Sequence, residues 1–280
     1  MTKAILKNSI NYILLIIVGI IMIYPFIWLC FASFKSNKDI FGSLKLLPSE
    51  ISLKPFIEGW KGSGQYTYGD FFLNSAILVI PTSLFTVLSS ISVSYAFARL
   101  KFHFKKLLFS LVIATLMLPN AVIIIPRYMI FKNLNWIDSY LPFTVPALLA
   151  CNSFFIFMMI QFFRGLPKEL DESAYIDGCN SFTILVKILT PLCKPAIISA
   201  FLFQFMWTWN DFFNSLIYIN SVSKFTVTLG LRMSLDNQSG DLPWNQVMAM
   251  SVLTIVPCVL LFFFAQKHFV EGIATTGIKG

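Results

Sequence analysis

The sequence predicts an all-α, polytopic membrane protein with six transmembrane helices. Hydrophobic residues make up 57% of the 280 residues and charged residues only 12%, so polar side chains are too few to cover a water-soluble domain. Six long apolar runs follow one another along the chain, each near the roughly 20 helical residues needed to cross a bilayer. We therefore expect one transmembrane domain over residues 1–280, in contact with membrane lipid.

Each apolar run defines one predicted span. Five runs contain no charged residue, and the fifth carries only Asp211. Several runs contain proline, and kinked helices are expected because a membrane helix tolerates proline where neighbours satisfy the freed carbonyl. The first run is longer than the about 7–15 apolar residues of a signal peptide, so we interpret it as a helix. The predicted spans cover about residues 10–33, 71–98, 107–126, 142–163, 195–219 and 243–266.

The distribution of lysine and arginine predicts the orientation, because short cytoplasmic loops are enriched in both residues. Four basic residues lie within residues 99–106, between the second and third spans. This segment and both termini are therefore expected in the cytoplasm. An even number of spans also places residues 165–191 there. It leaves residues 35–70, the short loop around Lys132 and the loop 224–241 outside. Basic side chains at the membrane surface explain the net charge of +8, so no nucleic-acid partner is expected.

The sequence shows no pattern for catalysis or metal binding. Its two histidines, His103 and His268, have no carboxylate pattern of a metal or catalytic site beside them. Its five cysteines have neither a disulfide framework nor a metal-ligand spacing. Residues 272–277 match the first half of a phosphate-binding loop, but Ile278 stands where lysine is needed. We expect no catalytic residue, no metal, no bound cofactor and no ATP hydrolysis by this chain.

A charged segment, residues 165–191, separates the fourth and fifth spans. Pro167 suits the first turn of a helix, where no N–H is needed, and acidic residues favourable to the helix dipole follow it. Gly178 is placed to end this helix. A second short helix is expected from about Phe182 to Leu189, stopping before Pro191. This helix–glycine–helix segment, hereafter the 165–191 element, is expected to contact a soluble partner.

The 165–191 element resembles the EAA loop of permeases of binding-protein-dependent ABC importers. That loop has the pattern Glu-Ala-Ala, three residues, Gly, nine residues and Ile-x-Leu-Pro, and every spacing is kept in this chain. Ser173 replaces an alanine and Thr190 replaces the leucine, so we expect weakened but intact packing. The matching positions are Glu172, Ser173, Ala174, Gly178, Ile188 and Pro191.

Two further stretches resemble permeases of the carbohydrate-uptake type. Residues 207–213 look like their Trp-Asn-Asp/Glu-Phe stretch, and the tail 267–280 is similar to that of the second maltose-type permease subunit. The resemblance implies the type I ABC importer permease fold in the inner, cytoplasmic membrane. It also implies that the 165–191 element is a coupling loop and that the tail contacts an ATPase through Gly277, Ile278, Lys279 and Gly280. Composition alone equally fits a frayed terminus for this tail.

The resemblance further implies a set of partners. A second, related permease subunit would complete the translocation pathway, most simply as a heterodimer. Two copies of a separate ATPase subunit would bind ATP and Mg²⁺. An extracytoplasmic solute-binding protein would deliver a sugar or oligosaccharide to the outer loops, above all to residues 35–70.

Polar residues on the apolar spans are candidates for the substrate path. Four hydroxyl side chains on the second span recur at spacings of seven, four and three, which forms one stripe; helix packing through small residues explains the same stripe. Tryptophan and amide side chains on the fifth span suit a sugar, although an interfacial aromatic belt has the same composition. The candidates are Ser75, Thr82, Thr86, Ser89, Asn120, Asn152, Gln204, Trp207 and Asn210.

Two alternative functions stay open. An ion-coupled secondary transporter usually has ionisable residues or broken helices near the bilayer midplane, whereas the only carboxylate within a span here is Asp211, predicted toward the outer half. A non-transport membrane interaction protein would need neither a polar path nor an ATPase contact. Solute uptake driven by ATP without an ion gradient distinguishes the importer from both.

Overall fold

The computed structural model describes residues 2–42, 45–62, 65–235 and 242–277, with side chains between residues 11 and 266. Every regular element within these ranges is a helix, in agreement with the predicted all-α class. Contacts divide the chain into two compact units. The first contains Met1–Asp70 and Gly230–Val256, and the second contains Phe71–Leu229 and Pro257–Gly280.

Long helices alternate with short ones along the described ranges. The first eight helices are α1 (Thr2–Ala32), α2 (Asn37–Gly42), α3 (Lys54–Trp60), α4 (Tyr68–Arg99), α5 (Lys105–Met117), α6 (Asn120–Asn133), α7 (Leu141–Leu148) and α8 (Ser153–Gly165). The later elements are α9 (Glu169–Ile176), α10 (Ser181–Thr183), a π-helix (Ile184–Leu189), α11 (Thr190–Leu192), α12 (Lys194–Trp209), α13 (Phe212–Tyr218), a 3₁₀ turn (Val222–Lys224), α14 (Val227–Leu235) and α15 (Trp244–Gly277).

Four helical stretches of the described chain are long and apolar enough to cross a membrane unaided. Each is at least 22 residues long, and a helix needs roughly 20 residues to cross the hydrocarbon. They are Asn11–Ala32, Tyr68–Arg99, Trp244–Gln266 and Leu141–Gly165, the last of which joins α7 and α8 across a short break. These stretches coincide with the first, second, fourth and sixth predicted runs.

Two bent pairs of helices qualify as further spans when each pair is counted as one. The first pair joins Lys105–Met117 to Asn120–Asn133 with a bend of 108°, and the second joins Ser181–Leu192 to Lys194–Trp209 with a bend of 81°. Counted in this way, the described ranges contain up to six candidate spans, the number that the sequence predicts. The second pair starts at Ser181, inside the 165–191 element, so the bounds of the predicted fifth span stay a prediction.

Proline interrupts one predicted span and leaves three others continuous. Helices α1, α4 and α15 run through Pro25, Pro81 and Pro257 without a break. Pro119 differs because Leu118 before it is extended, with φ −78° and ψ 120°, and α5 ends there. Steric contact with the proline ring biases the preceding residue away from helical geometry. The third predicted span is therefore divided between α5 and α6.

A polar joint connects parts of the first unit. The side chain of Asn37 donates through Nδ2 to the carbonyl of Leu242 at 3.1 Å and accepts through Oδ1 from the Asn245 N–H at 2.9 Å. Gly59 packs so closely that an added Cβ would lie 3.0 Å from Cε of Met250. These contacts join the segment after α1, and helix α3, to the first turns of α15.

An apolar core holds the second unit together. Phe155 and Phe163 of α8 and Leu189 of the π-helix are fully buried. They belong to one cluster with Ala196 and Ala200 of α12. Small side chains such as these alanines let membrane helices approach closely. The core therefore lies where α8, the π-helix and α12 meet.

Two predicted outer segments of the second unit meet at Asp138. Its carboxylate accepts the Ser221 hydroxyl at 2.6 Å and the Ser221 N–H at 2.8 Å, and Nζ of Lys224 lies 3.1 Å from Oδ2. The Ser221 hydroxyl, followed by the Ser221 N–H, holds the pKa of Asp138 well below its usual range. The two segments thus share one side of the second unit, as the order of predicted spans requires. Which side faces the cytoplasm stays a prediction.

We expect Asp138→Asn to lower the free energy of unfolding by about 1–3 kcal/mol, because hydrogen bonds to a charged group contribute roughly that much. With a depressed folded pKa, the carboxylate stabilises the fold above its unfolded pKa of about 3.9. This contribution is lost as the pH falls toward the lower folded pKa. The difference in Tm between wild type and variant should therefore be constant from about pH 7 to 5 and narrow below about pH 4.

Thermal unfolding of the purified protein in detergent measures this difference. Glu50→Gln is the matched control, because it removes one exposed carboxylate from another predicted outer segment. Equal Tm losses for the two variants, or a difference that acid leaves unchanged, would show that the hydrogen bonds at Asp138 do not stabilise the fold.

Candidate functional site

Helix α9, the first helix of the 165–191 element, ends in a glycine turn. Gly178 has a φ of +81°, in the left-handed region that glycine adopts without a Cβ clash. The Gly178 N–H donates to the carbonyl of Tyr175 at 3.1 Å, and the Cys179 N–H donates to that of Ala174 at 2.9 Å. These two bonds form a Schellman motif, which satisfies carbonyls at a helix end. The glycine ends the helix where the sequence predicts.

The second helical part of the element is longer than its sequence predicts. It begins after Asn180, whose Oδ1 accepts the Thr183 N–H at 2.8 Å, and continues through α10, the π-helix and α11 to Leu192. The expectation that it stops before Pro191 is wrong, because the helical stretch continues through Thr190 and Pro191 to Leu192. The chain bends instead at Cys193.

The six positions that match the EAA pattern divide between the core and the surface. Ala174 is buried in the apolar core of the second unit, and the half-buried Ile188 packs against that core. The other four positions, Glu172, Ser173, Gly178 and Pro191, are exposed. The structure therefore brings all six positions into one element, with its carboxylate and its glycine turn on the outside.

Large apolar side chains on the same element are exposed. The exposed fraction is 87% for Ile176 and 73% for Phe182, which lie on either side of the Gly178 turn. Charged side chains lie beside them, including the exposed Glu172 and Asp177. Apolar side chains rimmed by charged ones are typical of a surface that binds another protein.

A buried ion pair anchors the start of the 165–191 element to the end of α4. Nε of Arg99 lies 3.2 Å from Oδ2 of Asp171, and the two side chains are only 6% and 12% exposed. Sequence patterns place Arg99 with three lysines at the membrane surface, and they do not predict that its side chain is buried against Asp171. No local signal distinguishes it from these lysines, because its partner lies far along the chain.

The C-terminal tail continues the last helix. Helix α15 runs to Gly277, while Ile278, Lys279 and Gly280 lie outside the described residues. Residues 272–277 are therefore helical, whereas a phosphate-binding loop requires a glycine-rich turn before a helix. The predicted contact of the tail with an ATPase stays a prediction.

The hydroxyl stripe on α4 faces other parts of the second unit. Ser75 accepts a backbone N–H at 2.8 Å, and Thr82 donates to a carbonyl of its own helix at 2.7 Å. Ser89 donates to the carbonyl of Ala147 at 2.6 Å, and Thr86 is 1% exposed. This placement favours the helix-packing explanation of the stripe.

Two other candidates for the substrate path form a chain of amide hydrogen bonds. Nδ2 of Asn152 donates to Oε1 of Gln204 at 3.0 Å, and Nε2 of Gln204 donates to Oγ1 of Thr208 at 2.7 Å. Sequence reasoning missed Thr208, although its spacing of four residues from Gln204 places both on one face of α12. Ser153, next to Asn152, shares a hydroxyl contact of 2.7 Å with Thr115. Polar groups from three predicted spans thus meet here.

An aromatic surface adjoins this polar chain. Trp207 is 47% exposed, and its ring centroid lies 5.1 Å from that of Phe154 and 5.2 Å from that of Phe155. Aromatic faces beside amide and hydroxyl groups can bind the apolar faces and hydroxyls of a sugar. Trp207, Asn152 and Gln204 therefore form the strongest group among the candidates.

The two remaining candidates, Asn210 and Asn120, lie at helix ends, as does Asp211. Asn210 is exposed after the end of α12, where its Nδ2 donates to the carbonyl of Met206 at 2.8 Å. Asp211 caps α13, because its Oδ1 accepts the Asn214 N–H at 3.0 Å. Asn120 is the exposed first residue of α6. No contact described for these residues joins them to the group at Trp207.

Three predicted spans of the second unit are broken. Their helices are interrupted at residues 118–119, 149–152 and 210–211. Non-helical backbone at membrane depth is tolerated only where protein buries it or where it borders a water-filled cavity. The break at residues 149–152 contains Asn152 and therefore adjoins the polar chain. Within the described side chains, no group of three His, Cys, Asp or Glu residues could hold a metal ion.

Known proteins share both the sequence and the fold of this chain. Residues 87–275 match the family model described as "Binding-protein-dependent transport system inner membrane component". The arabinooligosaccharide transport permease AraQ of Halalkalibacterium halodurans is 32% identical over 266 residues, which cover 94% of this chain and 93% of that protein. The probable ABC transporter permease YurM of Bacillus subtilis is 30% identical over 270 residues, or 96% and 88% of the two chains.

A further relative and one solved structure agree with this match. The sulfoquinovosyl glycerol transport permease SmoH of Agrobacterium fabrum is 28% identical over 265 residues, covering 92% of this chain and 89% of that protein. A chain in the crystal structure of a bacterial ABC transporter that imports the acidic polysaccharide alginate superposes with a TM-score of 0.78. It is 21% identical, with 94% and 96% of the two chains covered. The predicted resemblance in sequence and fold is confirmed.

Replacing Gly178 tests the glycine turn. We expect Gly178→Ala to lower the free energy of unfolding by about 1–2 kcal/mol, because a Cβ disfavours the left-handed conformation. Gly178→Asn should cost less, since asparagine tolerates that region. Thermal unfolding in detergent provides the measurement.

Gly165→Ala is the matched control for the glycine turn. An added Cβ meets no atom within 4 Å at either glycine, and only Gly178 has a positive φ. The control variant should therefore unfold as the wild type does. A smaller loss of Tm for Gly178→Ala than for Gly165→Ala would contradict the backbone explanation.

Proposed function

The chain belongs to the family of binding-protein-dependent transport system inner membrane components, and from that premise we propose that it is a permease subunit of an ATP-driven ABC importer. It forms one half of a translocation pathway for a sugar or oligosaccharide, and a second, related permease subunit forms the other half. Relatives named for arabinooligosaccharides and sulfoquinovosyl glycerol support this class of solute. The chain works in the cytoplasmic membrane with both termini inside the cell.

The observation that carries this proposal is the surface of the 165–191 element. Its exposed Glu172 lies near Ile176 and Phe182, which are also exposed. A cleft of an ATPase subunit with an apolar floor and a basic residue would bury both apolar side chains and pair with the carboxylate. The Arg99–Asp171 ion pair holds the element on the permease, so a force applied by the ATPase reaches the rest of the chain.

Energy comes from the ATPase subunits in this proposal. In this proposal ATP and Mg²⁺ bind to two copies of the partner. Residues 272–277 are helical, which is not the conformation of a phosphate-binding loop. The tail from Gly277 to Gly280 adds a second contact with these subunits. Closure of the ATPase pair moves the permease halves as rigid bodies and alternately opens the pathway to the two sides.

The solute enters from an extracytoplasmic binding protein that docks on the outer segments, chiefly residues 35–70. Along the pathway it meets Trp207 and the amides of Asn152 and Gln204, which supply an aromatic face and hydrogen-bond partners. Ion coupling is a weaker alternative, since the carboxylate of Asp211 is engaged by the N–H and the side-chain amide of Asn214.

Charge reversal at the exposed carboxylate tests the ATPase contact. We expect Glu172→Lys to reduce co-purification of the ATPase at least about tenfold, since disrupting a buried interfacial charge pair costs roughly 2–5 kcal/mol. Uptake of labelled arabinooligosaccharide into proteoliposomes that hold the assembled complex and ATP should fall in parallel.

Glu169→Lys is the matched control for this change. Glu169 is exposed on the same short helix but lies outside the EAA pattern, so the variant should keep the ATPase bound. Retention of both the ATPase and uptake by Glu172→Lys would refute the proposed contact. Wild-type uptake that follows an ion gradient and ignores ATP would replace the importer with a secondary transporter.

A second substitution tests the pathway. Gln204→Leu should lower uptake about tenfold while ATPase binding stays unchanged, because the buried Gln204 holds Asn152 in the pathway by a hydrogen bond worth about 1–2 kcal/mol. Thr82→Val is the control, since the Thr82 hydroxyl bonds only to its own helix among the contacts described. Equal uptake by the two variants would remove Gln204 from the pathway.

A further inference from the structure

Arg99 connects α4 to the 165–191 element through several bonds at once. Besides its ion pair with Asp171 at 3.2 Å, its Nη2 donates to the carbonyl of Leu166 at 3.0 Å and to that of Pro167 at 3.3 Å. One planar guanidinium therefore contacts both the loop before α9 and its first turn. Arginine suits this task because its donors lie in a fixed fork, whereas the ammonium of lysine is a point charge.

Burial of the pair is difficult to explain by stability alone. Removing two charges from water costs several kcal/mol per ion, and apolar residues of similar volume often stabilise a fold as well or better. In the described part of the chain, neither carboxylate oxygen of Asp171 accepts a hydrogen bond of good geometry. The carboxylate thus depends on Arg99 for its compensation. Such a pair fixes the position of α9 relative to α4. Apolar side chains can slide past one another, whereas an ion pair supported by two hydrogen bonds to carbonyls cannot.

The opposite end of α4 is also fixed by polar contacts. Nδ2 of Asn74 donates to the carbonyls of Ser223 and Phe225 at 2.9 and 3.0 Å. The hydroxyl of Ser75 accepts the Val227 N–H at 2.8 Å. These two carbonyls and one N–H belong to the segment Ser223–Val227, which the sequence predicts on the outer side. Each end of the helix is therefore held by polar contacts to the backbone of another segment. We call the contacts of Arg99 the inner joint and those of Asn74 and Ser75 the outer joint.

Helix α4 is continuous between these two joints. It has 32 residues and runs through Pro81, while the predicted third, fourth and fifth spans are all broken. At 1.5 Å per residue it measures about 48 Å, long enough to cross the hydrocarbon and reach both surfaces. A continuous helix transmits displacement along its axis, whereas a broken one absorbs part of it at the break.

We propose that α4 is a strut that carries movement of the 165–191 element to the outer segment Ser223–Val227, with Arg99 as the positioning residue of its inner joint. The proposal rests on the proposed contact of the element with an ATPase. Closure of the ATPase moves the element, Arg99 pulls the end of α4, and Asn74 and Ser75 move the outer segment. The conformation of the outer segment, on the side where a solute-binding protein docks, thereby depends on whether the ATPase is open or closed.

The test follows the outer segment while the ATPase is trapped. Ser223 is exposed and contributes only its backbone carbonyl to the joint, so Ser223→Cys provides a maleimide target. Labelling is measured in the assembled, membrane-reconstituted complex with and without ATP and vanadate. Peptide mass spectrometry reads the modification at position 223 separately from the native cysteines.

The inner joint is removed by the double variant Arg99→Met/Asp171→Leu. Single variants leave a buried charge unpaired and are expected to unfold more readily, whereas the double variant keeps apolar volume in the site. We expect vanadate trapping to change the labelling rate at position 223 several-fold in the otherwise wild-type complex. The double variant should lose this change while it retains bound ATPase, ATP hydrolysis and its Tm.

Lys101→Met/Glu169→Leu is the matched control, because it removes one basic and one acidic side chain, both exposed, from the segment after α4 and from α9, and it should leave the labelling change intact. A double variant at Arg99 and Asp171 that keeps the labelling change would overturn the strut and leave the pair a structural one. No change at position 223 in the complex with the intact pair would overturn it too. Failure of the proposed ATPase contact would be recognised by a different result, because the Glu172→Lys variant would then still co-purify with the ATPase.

Discussion

Hydrocarbon offers no partner to a backbone N–H or C=O group, and this constraint governs the whole chain. Helices α1, α4 and α15 meet it by running unbroken, even through proline. Where helices break in the second unit, polar side chains gather beside the free backbone. Asn152 lies in one break and bonds to Gln204, and Asp211 caps the helix that follows another. The polar groups between the predicted spans are therefore a consequence of how the breaks are satisfied.

The all-α class and the presence of up to six apolar spans could be predicted from the sequence, because length and apolar composition determine whether a segment can span a membrane. The positions of the breaks could not. Pro25 and Pro119 look alike in the sequence, yet only Pro119 follows a residue in an extended conformation. Whether a proline interrupts a membrane helix depends on neighbouring helices that supply or withhold partners for the freed carbonyl, and that is tertiary information.

The candidate sites show the same division between local and distant information. Gly178 could be assigned to a helix end because its role depends on its own backbone and the five residues before it. Arg99 could not be distinguished from the lysines that follow it, because its burial depends on Asp171 and on carbonyls more than sixty residues away. The hydroxyl stripe on α4 was visible in the sequence, but packing decides that it faces neighbouring helices.

The exposure of Ile176 and Phe182 has a further consequence for the life of the protein in the cell. Both side chains lie on an element rich in charge, beyond the end of α8, where lipid does not cover them in the predicted topology. A newly inserted chain without its partner therefore presents two large apolar side chains to water, beside a polar loop. Such surfaces attract chaperones and proteases. Under the proposed function, the abundance of this subunit would follow the supply of the ATPase that covers them.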